Sequence, residues 1–202
     1  MNKIIDRFTN EYRFLSNFYP CQITYEDMIY PSVEHAFQAA KCLTIMERKK
    51  IQAAQTAGLA KKMGRKVNLR NDWERVKIDI MRIILKNKFT NSTLQQLLLN
   101  TGSAQLIEGN NWHDTFWGKC NGKGQNQLGK LLMEIRDGFK TIDSMVNDVK
   151  SLPSPKEKLQ MIRKILHPIT LHFYNDAPDQ ILVAKKELAA LFVLVVNNQN
   201  WE

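Results

Sequence analysis

Apolar residues recur at helical spacing through most of the chain, with polar residues between them. The longest such pattern predicts a helix that runs to about Phe89, with an apolar face formed by Trp73, Val76, Ile80, Ile83 and Ile84. Asn71, with Glu74 three residues later, is suited to cap the start of this helix. The chain is therefore predicted to be mainly helical.

Further helices are predicted from capping residues in front of apolar stretches. The predicted starts are Ser32, whose helix carries Glu34 in its first turn; Thr44, which forms a capping box with Glu47; Asn91 or Ser92, whose helix ends at Leu99; and Gln127, whose helix ends at Phe139. A negative charge in the first turn suits the helix dipole, which supports the first of these assignments.

Strand-forming residues are confined to the N-terminal part. Residues 4–8 are predicted to form a short strand, and residues 23–30 a hairpin that turns at Glu26 and Asp27. The fold class predicted from these patterns is mainly α with a small N-terminal β element.

A domain boundary is predicted at residues 151–155, where two serines and two prolines interrupt helix formation. Residues 1–150 would form the main domain and residues 151–202 a helical C-terminal extension. Within this extension, residues 156–166 and a segment that begins at Pro178 have helical patterns.

The positive charge is concentrated in one stretch of the chain. Residues 48–88 contain 13 Lys and Arg against 3 Asp and Glu, a difference of +10, whereas the whole chain carries +9. Such a stretch favours a polyanionic partner, such as nucleic acid or polyphosphate, although solvated lysines on a helical face would give the same pattern.

Composition points to a soluble protein of a reducing compartment. The chain shows no secretory signal, and its longest apolar run, residues 188–196, is too short to span a membrane, so we expect no membrane partner. Three cysteines without metal-ligand spacing favour free thiols. We expect a cytoplasmic protein, or one of the host cytoplasm if the source is viral.

The first group of candidate functional residues lies on the helix that follows Ser32. Glu34, Gln38 and Lys41 are spaced by four and three positions, so they share one helical face. A carboxylate there could stabilise an oxocarbenium-like transition state while a general base activates water. Alternatively, the lysine could attack a ribose C1 to form a Schiff base. An ordinary surface salt bridge would show the same spacing.

The second group lies in the segment NWHDTFWGKCNGKGQNQLGK, which begins at Asn111. Trp112, Phe116 and Trp117 offer flat faces that could enclose a base, and Asp114 could act as an acid, a base or an acceptor for a ribose hydroxyl. The glycines from Gly118 onward would let backbone approach a phosphate or ribose. Core packing by the tryptophans is the alternative.

Metal chemistry is not expected, because His35, His113, His167 and His172 lack any metal-binding spacing. We interpret His35 as a packing residue, and Cys120 has no accompanying catalytic arrangement. We therefore predict neither a metal nor a cofactor.

These motifs resemble the NADAR family (YbiA-like fold), and the resemblance covers residues 4–140. It is carried by Ser16-Asn17-Phe18, by the Glu34–Lys41 helix, by Asp114 to Gly118 in the pattern DxFWG, and by the pattern NxLGxxLMxxR from Asn126 to Arg136. Cys120 departs from the family, which has an acidic residue or glycine there.

The resemblance implies a set of site residues. The expected catalytic residues are Glu34, Lys41 and Asp114. The expected substrate-binding residues are Arg7, Phe8, Ser16, Asn17, Phe18, Gln38, Trp112, Trp117, Gly118 and Asn126.

The resemblance also implies an N-glycosyl hydrolase that acts on a ribose phosphate or an ADP-ribose adduct. The basic stretch favours removal of ADP-ribose from guanine bases in DNA, with the ADP-ribosylated DNA as partner. The alternatives are hydrolysis of early riboflavin-pathway phosphoribosylamines and a non-catalytic module that binds ADP-ribose or nucleic acid.

Overall fold

The computed structural model describes residues 3–154, 156–158 and 160–161. The α-helices of this part are α1 (Val33–Ala39), α2 (Ile45–Gln52), α3 (Ala57–Gly64), α4 (Trp73–Lys88), α5 (Ser92–Leu99) and α6 (Gln127–Ser151), and a 3-10 helix spans Asn10–Leu15. The strands are β1 (Ile4–Ile5), β2 (Ile23–Tyr25), β3 (Met28–Tyr30), β4 (Gln105–Leu106), β5 (Gly109–Asn110) and β6 (Lys119–Cys120). The predicted fold class, mainly α with a small β element, is confirmed. The β element is not confined to the N-terminal part, since β4, β5 and β6 lie between residues 105 and 120.

Side-chain caps begin α1, α2 and α5 as predicted. The Oγ of Ser32 accepts a hydrogen bond from the backbone N–H of His35, and Asn91 accepts one from that of Leu94. Thr44 and Glu47 form the predicted capping box at α2.

The start of α4 differs from the prediction. Asp72, not Asn71, occupies the N-cap position, and its side chain makes no capping bond. Both Asp72 carboxylate oxygens instead accept bonds from the guanidinium of Arg70, at 2.6 and 3.0 Å. A bidentate ion pair therefore replaces the cap at this helix.

The predicted hairpin is present, with Ile23 opposite Tyr30 and Tyr25 opposite Met28. Its turn residues Glu26 and Asp27 have φ of 44° and 58°, the left-handed pair that a two-residue hairpin turn requires. The predicted strand at 4–8 is shorter than expected. It ends at Ile5, where β1 pairs in parallel with β4.

Helix α1 lies at the centre of the fold. It packs against α2, α3, α4 and the hairpin, and all seven of its residues are buried. Glu34, His35 and Gln38 are among them, so a charged group and two polar groups lie where the core would normally be apolar. Burial of such groups costs free energy unless they are hydrogen-bonded or paired with an opposite charge.

Helix α6 extends to Ser151, well past the predicted end at Phe139. Residues 156–158 and 160–161 are helical, in agreement with the prediction for that stretch. The predicted helix from Pro178 lies outside the described residues, and the proposed extension at 151–202 stays a prediction. No helix of the described part is both long enough and apolar enough to cross a membrane.

Candidate active site

A cavity of about 550 Å³ opens beside α1, and all of its lining belongs to the compact unit Met1–Arg136. Its size suits a nucleotide-sized ligand. The lining residues are Ser16, Asn17, Phe18, Glu34, Phe37, Gln38, Lys41, Gly58, Lys61, Arg65, Met81, Glu108, Trp112, Asp114, Trp117 and Leu128.

Glu34 and Gln38 reach this cavity from one face of α1, as their spacing predicts. Lys41, predicted on the same helical face, instead lies in the turn just after α1 and lines the cavity from there. The Nε2 of Gln38 donates a hydrogen bond of 2.8 Å to Oε1 of Glu34, whose side chain is oriented by it. Burial raises the pKa of Glu34, while Lys61, the bond from Gln38 and the charges of Lys41 and Arg65 act in the opposite direction. The cations favour the ionised carboxylate at this position.

Lys41 lies in the turn that follows α1. Burial lowers the pKa of its ammonium group, and the charges of Lys61 and Arg65 act in the same direction, while Glu34 opposes them. Its Nζ lies 5.5 Å from the ring centroid of Trp73. A lysine with a lowered pKa is more readily neutral, as a nucleophilic amine must be.

Helix α3 adds cations to the cavity because it packs very closely against α1. A Cβ at Gly64 would overlap the side-chain amide of Gln38, so only glycine allows this approach. The contact brings Lys61 and Arg65 to the cavity lining. Lys61 also lies over the ring of Phe18, with Nζ 5.6 Å from its centroid.

Three residues of the second predicted group, Trp112, Asp114 and Trp117, line the same cavity. The Oδ1 of Asp114 accepts bonds from the backbone N–H groups of Phe116 (3.1 Å) and Trp117 (2.8 Å), which folds this loop. Trp117 packs edge-to-face on Phe37, with ring centroids 5.2 Å apart. Trp112 lines the cavity with 55% of its surface exposed. Phe116 is not part of the lining.

Nine of the thirteen predicted site residues line the cavity and four do not. The nine are Glu34, Lys41, Asp114, Ser16, Asn17, Phe18, Gln38, Trp112 and Trp117. Of the other four, Phe8 is buried in the core and Arg7 is exposed. Gly118 and Asn126 contact the chain behind the lining, at residues 106–108.

Glu108 lines the cavity but was not predicted from the sequence. Burial raises the pKa of its carboxyl group to about 7, with Asp114 as the next contributor. Glu108 has no spacing relation to either motif, since it lies between β4 and β5, and the local sequence therefore offers no signal for it.

Unpaired polar atoms converge on the cavity. In the described part of the chain, the buried side-chain atoms without a hydrogen-bond partner are Asn17 Oδ1, Gln38 Oε1 and Glu108 Oε2, and all three residues line it. Buried polar atoms are normally paired, so this convergence indicates that a polar ligand belongs here.

Comparison with known proteins agrees with this site. Residues 5–140 match the NADAR domain. The chain belongs to the NADAR family. The resemblance seen in the sequence is thereby confirmed, and every residue of the cavity lining falls within the matched NADAR region.

The NADAR relatives include named N-glycosidases. N-glycosidase YbiA of Escherichia coli (strain K12) is 39% identical over 64% of this chain and 82% of its own length. N-glycosidase Npun_R5314 of Nostoc punctiforme is 38% identical over 66% of this chain and 90% of its own length. The NMR structure of Escherichia coli YbiA matches with a TM-score of 0.62 at 37% identity, covering 70% of this chain and 88% of that one.

Another NADAR relative has a name that refers to riboflavin. The riboflavin biosynthesis protein VVA0006 of Vibrio vulnificus is 38% identical over 61% of this chain. This chain spans only 35% of that protein, which is therefore much longer than the region they share.

His35 has a structural role in this NADAR protein, as its sequence context indicated. Its Nδ1 lies 2.7 Å from Ser32 Oγ and its Nε2 lies 3.0 Å from the carbonyl oxygen of Ala54. Burial lowers the pKa of its imidazole. Cys120 is buried in β6 and is not part of the cavity lining.

Proposed function

We propose that this protein removes ADP-ribose from guanine bases in DNA by hydrolysing the N-glycosidic bond. The reaction class is that of its relatives: the protein is an N-glycosyl hydrolase of the NADAR family. The substrate is the proposal. The observation that carries it is a cluster of four cations on and directly after α3, at the cavity, that form no salt bridge with any described residue.

This cluster stands out once the ion pairs of the basic stretch are considered. Several of its basic residues are paired or buried: Arg48 with Glu26, Arg70 with Asp72, Lys77 with Glu74, Arg82 with Asp79 and Glu134, and Lys88 in the core. Within the described residues, the α3 cations Lys61, Lys62, Arg65 and Lys66 form no salt bridge. Their charge is therefore available to phosphates.

The α3 cations divide into two pairs. Lys61 and Arg65 line the cavity, where they could hold the diphosphate of ADP-ribose. Lys62 and Lys66 are exposed and are not part of the lining, so they are placed for phosphates of a nucleic acid that extends beyond it. A small substrate would have no use for the outer pair.

Exposed aromatic residues at the cavity also suit a base. Trp112 and Phe18 line it while exposing 55% and 40% of their surfaces. Flat apolar faces in such positions stack on nucleobases, with about 1–3 kcal/mol per stacked base. Glu34 would stabilise the positive charge that develops at the anomeric carbon, and Lys41 would act as a nucleophile or as a phosphate contact.

The experiment compares the outer pair with the inner pair. The double variant Lys62→Ser with Lys66→Ser should weaken turnover of an ADP-ribosylated oligonucleotide and flatten its salt dependence by about one log-log unit per lost phosphate contact. Its turnover of a phosphoribosylamine of riboflavin synthesis should stay unchanged. Lys61→Ser with Arg65→Ser should weaken both reactions. The exposed Lys123 and Lys130, which are not part of the lining, provide a charge-matched control pair.

The second candidate substrate is a small phosphoribosylamine, which the riboflavin-related name of the Vibrio vulnificus relative favours. It becomes the better assignment if wild-type protein cleaves only the small substrate, or if changes in the outer pair have equal, salt-insensitive effects on both. In either case we place the reaction in a reducing, cytoplasmic compartment, because Cys21, Cys42 and Cys120 are free thiols.

A further inference from the structure

We propose that Glu108 is the general acid of this enzyme, which gives its carboxyl proton to the nitrogen that leaves C1′ of the ribose. The proposal rests on the N-glycosidase reaction stated above, but it holds for either candidate substrate, since both have a nitrogen leaving group. It adds to the cavity a catalytic residue that neither sequence motif contains.

The first line of support is that motif residues outside the cavity hold the backbone beside Glu108. The side chain of Asn126 donates to the carbonyl oxygen of Leu106 at 2.8 Å and accepts from the backbone N–H of Glu108 at 3.0 Å. A Cβ at Gly118 would overlap the carbonyl oxygen of Glu108, and one at Gly129 would overlap that of Leu106. Both family patterns thus converge on the segment that carries this carboxyl group.

The second line of support is that the side chain of Glu108 has an atom without a partner. Oε2 of Glu108 is buried and accepts no hydrogen bond from any described residue, although the residue lines the cavity. A carboxyl group placed for core stability would be paired. An acid that must reach a ligand needs a free oxygen, and it needs a fixed backbone behind it.

The surroundings of Glu108 favour its protonated form. The charged groups that face it are Asp114 and Glu34, which raise its pKa, and Lys61 and Lys88, which lower it, while burial raises it most. Burial raises the pKa of Glu34 as well, but the charges of Lys61, Lys41 and Arg65 all act to lower it. The two carboxyl groups of the cavity therefore differ in their charged surroundings. Such a difference lets one carboxyl group stay protonated, as the acid, while the other is ionised.

Asp114 is less suited to this role. Its Oδ1 already accepts hydrogen bonds from two backbone N–H groups, at 2.8 and 3.1 Å, so this oxygen is engaged in folding the loop. Asp114 thus orders the tryptophan loop, and its negative charge also favours the proton on Glu108.

The proposed step balances as follows. The C1′–N bond breaks and its electron pair goes to the departing nitrogen, which takes the proton of Glu108 and leaves as a neutral amine. Water adds its oxygen to C1′ and gives a proton to the Glu34 carboxylate. Solvent then carries one proton from Glu34 to Glu108, which restores both groups. If Lys41 attacks C1′ first, the departing nitrogen needs the same proton.

The test uses Glu108→Gln, which keeps the neutral shape but cannot transfer a proton. We expect kcat to fall by about 10²-fold or more, as for loss of a general acid, while the Kd for ADP-ribose changes less than about threefold. Wild-type kcat/KM should fall as the pH rises through about 7, and this basic limb should disappear in the variant. Glu108→Asp, which keeps the proton on a shorter side chain, should recover part of kcat together with a basic limb.

Other results would overturn the assignment. They are a Glu108→Gln variant that keeps more than a tenth of wild-type kcat, one that keeps the basic limb, or a Glu108→Asp variant no more active than Glu108→Gln. Each comparison is made on whichever substrate wild-type protein cleaves. Wild-type failure on the ADP-ribosylated oligonucleotide, with turnover of the phosphoribosylamine, would overturn only the DNA substrate and leave the Glu108 test intact.

Discussion

A carboxylic acid that burial keeps neutral destabilises the folded state at any pH where it must ionise. Glu108 should therefore affect stability as well as turnover. Its pKa is 4.5 in the unfolded chain and about 7 in the folded protein. Below pH 4.5 it is protonated in both states and has no effect. Between pH 4.5 and 7 the folded state holds more protons, so stability falls as the pH rises. Above pH 7 the full penalty remains.

The size of the penalty follows from the difference between the two pKa values. A shift from 4.5 to about 7 corresponds to about 3 kcal/mol, at about 1.4 kcal/mol per pKa unit. Glu108→Gln removes the penalty because glutamine does not ionise. This variant should match the wild type in unfolding free energy at pH 4, and exceed it by up to about 3 kcal/mol at pH 8. At roughly 2–4 °C per kcal/mol, Tm at pH 8 should rise by about 6–12 °C.

The measurement is urea or thermal unfolding of both proteins at several values between pH 4 and pH 8. Glu11→Gln, at an exposed position, is the matched control and should show no such difference. The reasoning fails if Glu108→Gln is no more stable than the wild type at pH 8. It also fails if the gain is the same at pH 4, because it would then come from packing and not from ionisation.

Three further predictions concern the helices around the cavity. If Lys41 forms a Schiff base, borohydride added during turnover should trap a ribosyl adduct by mass spectrometry, and Lys41→Ala should show none; an adduct at another lysine would exclude Lys41 as the nucleophile. Burial lowers the pKa of Lys88 from 10.5 to about 8, so the unfolding free energy of the wild type should rise relative to that of Lys88→Met between pH 8 and pH 10, toward a limit of about 3 kcal/mol. Parallel curves of unfolding free energy against pH would contradict this. Gly64→Ala should cost about 1–3 kcal/mol of unfolding free energy and lower kcat by displacing Gln38, whereas Gly138→Ala, which meets no atom within 4 Å, should cost nothing; equal unfolding midpoints would mean that α3 shifts freely.

Local signals in the sequence predicted the elements that depend on local contacts. The caps at Ser32, Thr44 and Asn91 and the hairpin turn at Glu26 are formed by residues within a few positions of one another. The same holds for the shared face of Glu34 and Gln38, since it follows from helical spacing alone. The cap of α4 was wrong because the ion pair of Asp72 with Arg70 competes with capping.

Contacts between segments that are far apart in the sequence could not be predicted from these local signals. Lys88 contributes to the counted charge of the basic stretch, yet its side chain is fully buried and donates to the carbonyl oxygen of Ser16 at 2.8 Å. Glu108 reaches the cavity only because Asn126, 18 positions away, holds its backbone. Gly118 and Asn126 belong to recognisable patterns, but a pattern does not reveal whether a residue contacts a ligand or supports one that does.

The close contact between Gly64 and Gln38 has a consequence for how this enzyme could be altered. Glu34 lies on α1 and Lys41 in the turn after it, whereas the separate eight-residue helix α3, which is docked through a glycine, carries Lys61 and is followed directly by Arg65. Residues 57–66 could therefore be exchanged for the corresponding segment of a relative, provided that Gly64 is kept. If the α3 cations select the substrate as proposed, such a chimera would keep the residues that break the glycosidic bond and take on the substrate preference of the donor.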